Sequence, residues 1–360
     1  MNGVGNERLT KASRRDNNFD ALRLSAALLV VIGHAFVLTS SEPAPRLAGV
    51  PIHTVGLYVF FIISGYLITD SWLRTPRVGS YLIKRCLRIF PALIVIVVVT
   101  VLILGPLLSS LPAGAYFADP QTSKYLLNLT LFAQYDLPGV FDIGHRSTAV
   151  NGVLWTLGLE FACYLLIAAA GVLARRLRTP SVRVLLMSIF TAVAFGCTLI
   201  PTLPSALTWL SSAGAVWVFF AIGALARELI HVRFFQLRWA FVATVAWLAL
   251  GAAWPGGGWL FSVLLLPYIS LAVALRPIPG VRSAARFGDV SYGTYLWGFL
   301  VQQVVMEMAP GLAFGANLAL VITSTVLISL LSWHLVERRA LSLGRVRAHS
   351  TLFRSVVFTK

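Results

Sequence analysis

The chain is poor in charge and poorest in acidic charge: 13 Asp and Glu stand against 29 Lys and Arg in 360 residues, and charged residues make up 12%. Soluble domains carry about a quarter charged residues, so an ordinary water-facing surface is excluded. Cysteine is equally scarce. The three present, Cys86, Cys163 and Cys197, lie in or beside apolar runs without metal-type spacing. They read as small buried side chains, and neither a disulfide framework nor a metal site is expected. The alternating ten-residue strands of a membrane barrel are missing as well. What remains is 58% hydrophobic residues and a mean hydropathy of +0.82, too much apolar surface for one soluble core. The sequence therefore predicts an all-α integral membrane protein.

Apolar runs bounded by charge, Gly and Pro predict about ten membrane helices near 20–39, 54–73, 81–104, 151–174, 183–201, 206–227, 238–254, 258–275, 289–308 and 315–336. Basic residues cluster in alternate links: Arg74, Arg77, Lys84, Arg85 and Arg88; Arg175, Arg176, Arg178 and Arg183; Arg227, Arg233 and Arg238; Arg276, Arg282 and Arg286. With Arg8, Lys11, Arg14 and Arg15 before the first run and Arg338, Arg339, Arg345 and Arg347 after the last, both termini are expected in the cytoplasm of a multi-pass plasma (inner) membrane protein. The net charge of +16 thus reads as topology beside membrane lipids, not as nucleic-acid binding. The expected organisation is a tail at 1–18, a membrane domain at 19–340 and a tail at 341–360. Neither a cleavable signal peptide nor a further domain is expected.

One link is far longer than the rest. Residues 105–150 are expected to face outward and carry Tyr116, Phe117, Asp119, Tyr135, Asp136, Phe141, Asp142, His145 and Arg146, a set suited to stacking on sugars and bonding their hydroxyls. A loop that simply packs over the bundle is the plainer reading. The stretch 125–132 suggests a short amphipathic interfacial helix, and Asn128-Leu129-Thr130 matches a weak glycosylation signal.

Ionisable groups inside a membrane domain are costly and usually face protein or a wet cavity. Arg23 and His34, eleven residues apart in the first run, share one helix face with a rise of roughly 16 Å between them. A neutral imidazole can take a proton from an attacking hydroxyl, which makes His34 a candidate general base, with a satisfied helix-packing residue as the equal alternative. Asp20, one turn before Arg23, can orient its guanidinium, and a plain capping or topological role fits it equally. Arg85 and Arg88 stand at i and i+3, and paired guanidinium groups bind phosphate well; ordinary topological arginines are the plainer alternative. Glu160 is the only carboxylate of its run and needs a buried partner, with His34 or an arginine expected. Asn151, Trp155 and Thr156 lie nearer the outer end, where an acceptor can bind. Ser64-Gly65 favours close helix packing, and Ser64 can also line the cavity. Glu337 reads as an interfacial ion-pair member, and His53, His145, His231, His334 and His349 as structural or solvated.

In this order and placement the segments resemble the membrane-bound acyltransferase family 3, the O-antigen and exopolysaccharide O-acetyltransferases. Arg23 to His34 is similar to its Arg/Lys-x10-His motif, and Arg85 with Arg88 to its Arg-x-x-Arg motif. The segments 60–68, 154–160, Ser291 to Leu296 and Trp333 to Glu337 look like the family too. The resemblance implies ten core helices and His34 as the catalytic residue. It also implies acyl-CoA, as acetyl-CoA, for the cytoplasmic donor, with Arg23, Arg85 and Arg88 near it. The implied acceptor is a cell-surface or lipid-linked glycan, with a small metabolite such as a macrolide as the alternative. A secondary transporter is the rival from another class, but the halves show no clear inverted repeat.

Overall fold

The computed structural model describes residues 17–39, 42–200, 208–280 and 288–343. Of the residues named above, Arg8, Lys11, Arg14, Arg15, Arg282, Arg286, Arg345, Arg347 and His349 lie outside that range. Ten long helices stand where the sequence places them: α1 Phe19–Thr39, α2 Ile52–Arg74, α3 Val78–Val99, α4 Trp155–Arg176, α5 Ser181–Leu199, α6 Thr208–Leu229, α7 Leu237–Ala253, α8 Gly258–Leu275, α9 Ser291–Met308 and α10 Phe314–Ser332. The only sheet among the described residues is a two-stranded hairpin, Arg46–Leu47 with Val50–Pro51. The protein is an all-α multi-pass membrane protein.

Eight of the ten helices are long and apolar enough to cross a membrane by length and composition. The two exceptions refine the expected count. With 17 residues, α7 is short for a span. Helix α9 carries Gln302, Gln303 and Glu307, and from Ser291 to Gln303 it is buried on every side. A polar helix at membrane depth is tolerated where protein surrounds it.

The described residues fall into two compact units, the first built from residues up to Gly33, Ala44–Asp70 and Leu173–Ser291. Within it α2 and α6 approach closely because each offers glycine to the other: a Cβ at Gly65 would collide with the backbone of Phe220, and one at Gly223 with that of Ile62. Tyr58 stacks on Phe219 at 4.0 Å, and Arg227 Nε donates to Asp70 at 2.8 Å at the end of the pair. Arg183 holds Glu228 through two bonds of 2.7 and 3.1 Å, joining α5 to α6. Asn18 fastens the start of α1 to the end of α8 by donating to the carbonyls of Val273 and Arg276 at 2.7 and 2.6 Å.

The second unit comprises His34–Pro43, Ser71–Val172 and the chain from Tyr292. Here α3 runs past its expected end at 104, because a π turn at Thr100–Leu104 absorbs Pro106 and the helix resumes over Gly105–Leu108. Helix α4 starts at Trp155, four residues later than expected. Asn151 sets a turn there, its side chain accepting from Val153 N at 3.4 Å.

Between α3 and α4 the chain is ordered and has its own core of Tyr116, Tyr125, Leu137, Val140 and Phe141. The Tyr116 hydroxyl donates to Val101 O at 3.0 Å. Gln303 of α9 donates to the carbonyls of Ser147 and Ala149 at 2.8 and 2.9 Å, so the segment is tied to the unit beneath it. The amphipathic turn expected at 125–132 is a 3-10 turn at Leu126–Thr130 with Leu126 and Leu127 exposed, ended by Leu131 at a φ of 67°. Asn128 is buried, bonded to Tyr125 O and to both Gln134 backbone groups, which removes it as a glycosylation site.

Candidate active site

Helix α1 is unbroken from Phe19 to Thr39, so Arg23 and His34 do share a face, with a rise of about 16 Å between them. In the first unit, Arg23 lies between two carboxylates, Asp289 at 3.6 Å and Asp20 at 4.0 Å. The i,i+3 contact of Asp20 with Arg23 is present at the outer limit of an ion pair. Asp289 is steadied by the Ser291 hydroxyl, which donates to it at 2.6 Å. Ser64 is buried, in the same unit, on the α2 turn where Gly65 lets α6 approach. The close approach read from Ser64-Gly65 is present.

His34, Arg85, Arg88, Asn151, Trp155 and Glu160 belong to the second unit. Arg85 and Arg88 leave one face of α3 but meet different surroundings. The Arg85 guanidinium lies over the rings of Tyr81 and Tyr164, 6.0 and 5.8 Å from their centroids. Arg88 lies over Tyr292 at 5.3 Å and faces the Glu337 carboxylate at 3.8 Å. A π turn at Trp333–Glu337 follows α10 and ends on Glu337, which is 2% exposed and also accepts from Ser332 Oγ at 3.1 Å. Glu337 is therefore an ion-pair member, but an interior one.

Glu160 sits on the second turn of α4 and accepts a 2.5 Å hydrogen bond from the Tyr164 hydroxyl, one turn further on. Tyr164 O in turn accepts from the Tyr81 hydroxyl at 3.1 Å, so Glu160, Tyr164, Tyr81 and Arg85 form one connected group. His34 packs against Phe299 of α9 with ring centroids 5.2 Å apart and planes at 71°. Asn151 and Thr156 bind α9: Asn151 Nδ2 donates to Leu296 O at 2.9 Å, and the Thr156 and Tyr295 hydroxyls lie 2.6 Å apart. Trp155 opens α4 half-buried.

Three further side chains, Tyr164, Asp289 and Phe299, and the partnership of Glu337 with Arg88 belong to this description. Tyr164 was findable, since i and i+4 positions meet on a helix. Asp289, Phe299 and the Arg88 partnership of Glu337 join residues distant in sequence, and no local spacing announces them.

The chain has counterparts among known proteins. The family profile described as an acyltransferase domain (acyltransferase 3) matches residues 16–335. The chain belongs to this family. It is a membrane acyltransferase, and its relatives agree in length as well as sequence. An O-acetyl transferase of Shigella phage Sf6 is 28% identical over 91% of this chain and 97% of the relative. Nodulation protein 10 of Rhizobium leguminosarum bv. viciae is 29% identical over 92% and 95%. The exopolysaccharide production protein ExoZ of Rhizobium meliloti is 27% identical over 82% and 92%. No solved structure matches the chain.

Proposed function

We propose that this membrane acyltransferase moves an acetyl group from cytoplasmic acetyl-CoA to a hydroxyl of a cell-surface or lipid-linked glycan, with His34 as the general base. The observation that carries the reading is the unbroken α1, which sets a basic residue about 16 Å along one helix face from the imidazole. A donor held by its phosphates near Arg23 can extend its pantetheine arm over a distance of that order. Arg85 and Arg88 serve the same phosphates, and guanidinium groups suit them by geometry as well as charge. The names of two relatives, an O-acetyl transferase and an exopolysaccharide production protein, favour acetyl as the group and a glycan as the acceptor.

In the transfer, His34 takes the proton of the acceptor hydroxyl as its oxygen attacks the thioester carbonyl. The new C–O bond forms, the C–S bond breaks, and the imidazolium returns its proton to the departing CoA thiolate. Products are an acetyl ester and CoA. Glu160, Asn151, Trp155 and Ser64 lie on the acceptor side of this proposal, with Glu160 orienting the imidazole or the acceptor. The positive-inside reading puts donor binding at the cytoplasmic face of the inner membrane and the acceptor outside.

Labelled acetyl-CoA supplied to membranes tests this directly. Wild type should pass label to glycan, and His34→Ala at a matched protein level should not. Equal labelling by both would remove His34 from the chemistry, and no glycan labelling by either would remove the acceptor class.

A further inference from the structure

The imidazole of His34 does not meet α9 at random. One of its contacts is Phe299, edge to face at 5.2 Å, and Phe299 is itself buried. The same ring also meets Gly152. A Cβ there would lie 2.8 and 2.9 Å from Phe299 Cε2 and Cζ, closer than a rigid ring can tolerate. Gly152 has no freedom to withdraw, because the bonds from Asn151 to Leu296 and between Thr156 and Tyr295 pin residues 151–156 to α9. The Phe299 ring therefore touches both the imidazole and the bare backbone at 152.

We propose that Phe299, wedged by Gly152, is a positioning residue that holds the His34 ring in its working orientation. The inference rests on the reading of His34 as the base. On this account Asn151 contributes through Gly152 and Phe299, rather than only through the acceptor. The wedge has a steric signature: any side chain at 152 must displace the ring, and the displaced ring must turn the imidazole. Reacting groups moved by about 1 Å can lose as much as a hundredfold in rate while substrates still bind.

Purified full-length enzyme, assayed with acetyl-CoA and the glycan acceptor, tests this through Gly152→Ala, Phe299→Leu and the double variant, with His34→Ala beside them. Gly152→Ala should lower kcat at least tenfold and leave the KM for acetyl-CoA unchanged. Phe299→Leu should also lower kcat, and the double variant should be no slower than Phe299→Leu alone, since the shorter side chain removes the collision. A wild-type kcat in Gly152→Ala, or losses that multiply in the double variant, overturns the proposal. Should Gly152→Ala fail to accumulate in the membrane, Phe299→Leu decides, because it opens space: a kcat loss at constant KM supports the proposal and an unchanged kcat overturns it. An inactive His34→Ala beside wild-type wedge variants sinks the positioning role alone. An active His34→Ala sinks the base assignment and the positioning role with it.

Discussion

Arg88 and Glu337 show what a single buried charge demands. Glu337 is 2% exposed and faces Arg88 at 3.8 Å, so Arg88→Ala takes a cation away from a buried carboxylate. Breaking a buried pair from one side costs about 3–5 kcal/mol. Glu337→Gln removes the charge but keeps an acceptor for Ser332, so it should cost much less. Thermal unfolding of the two variants in detergent should show Arg88→Ala melting well below Glu337→Gln, and the opposite order would deny the pair a structural role. Both residues are visible in the sequence as charges beside apolar runs, but their partnership is not. Glu160 illustrates the same limit more mildly. Its lone position announces a need for a partner, and the one-turn spacing to Tyr164 offers a donor that the reading passed over for a charged one.

At the level of elements, the segment between α3 and α4 behaves as a folded part with its own interior. Tyr116 and Tyr125 are buried, and burial pushes the Tyr116 phenol up to about 12 and that of Tyr125 higher still. An unfolded tyrosine ionises near pH 10. Because the folded value is the higher one, the stability these phenols give is fully present below about pH 10 and is lost as pH climbs through the folded values. Tyrosinate absorbance during alkaline titration should show a late-ionising class, with proteolytic cleavage within 109–154 beginning only above pH 10. In Tyr116→Phe that late class should shrink by one, whereas unchanged absorbance would place Tyr116 outside it. The length of the segment and its aromatic content are legible in the sequence. Its closure is not: Leu131 takes up a positive φ, and Asn128 turns inward to close a loop onto Gln134, so the asparagine of a tripeptide that looks like a surface signal is an interior hydrogen-bonding group. The π turns at Thr100–Leu104 and Trp333–Glu337 are hidden for a related reason, since one extra residue in a helical turn leaves the apolar pattern almost unchanged.

For the molecule as a whole, hydropathy marks where each helix lies, and all ten positions agree with the structure to within a few residues. The period of apolar residues cannot reveal that α9 is enclosed by protein. Its glutamines and glutamate reduce apolarity without saying whether the helix faces lipid or neighbours. Sidedness follows from different physics, the bias of Lys and Arg toward the cytoplasmic links. The alternation of basic links predicts Ile143 and Arg178, both exposed, on opposite sides of the membrane. Single cysteines placed there by Ile143→Cys and Arg178→Cys, in a variant with Cys86, Cys163 and Cys197 replaced by serine or alanine, separate the sides. An impermeant maleimide should label position 143 on intact cells and position 178 only after permeabilisation. Labelling of both from outside, or of 178 alone, would reverse the orientation. Donor binding through Arg23 at the start of α1 would then face away from the CoA pool, and the transfer proposed for His34 would lose its cytoplasmic supply. The orientation of ten helices thus bears directly on the chemistry assigned to one imidazole.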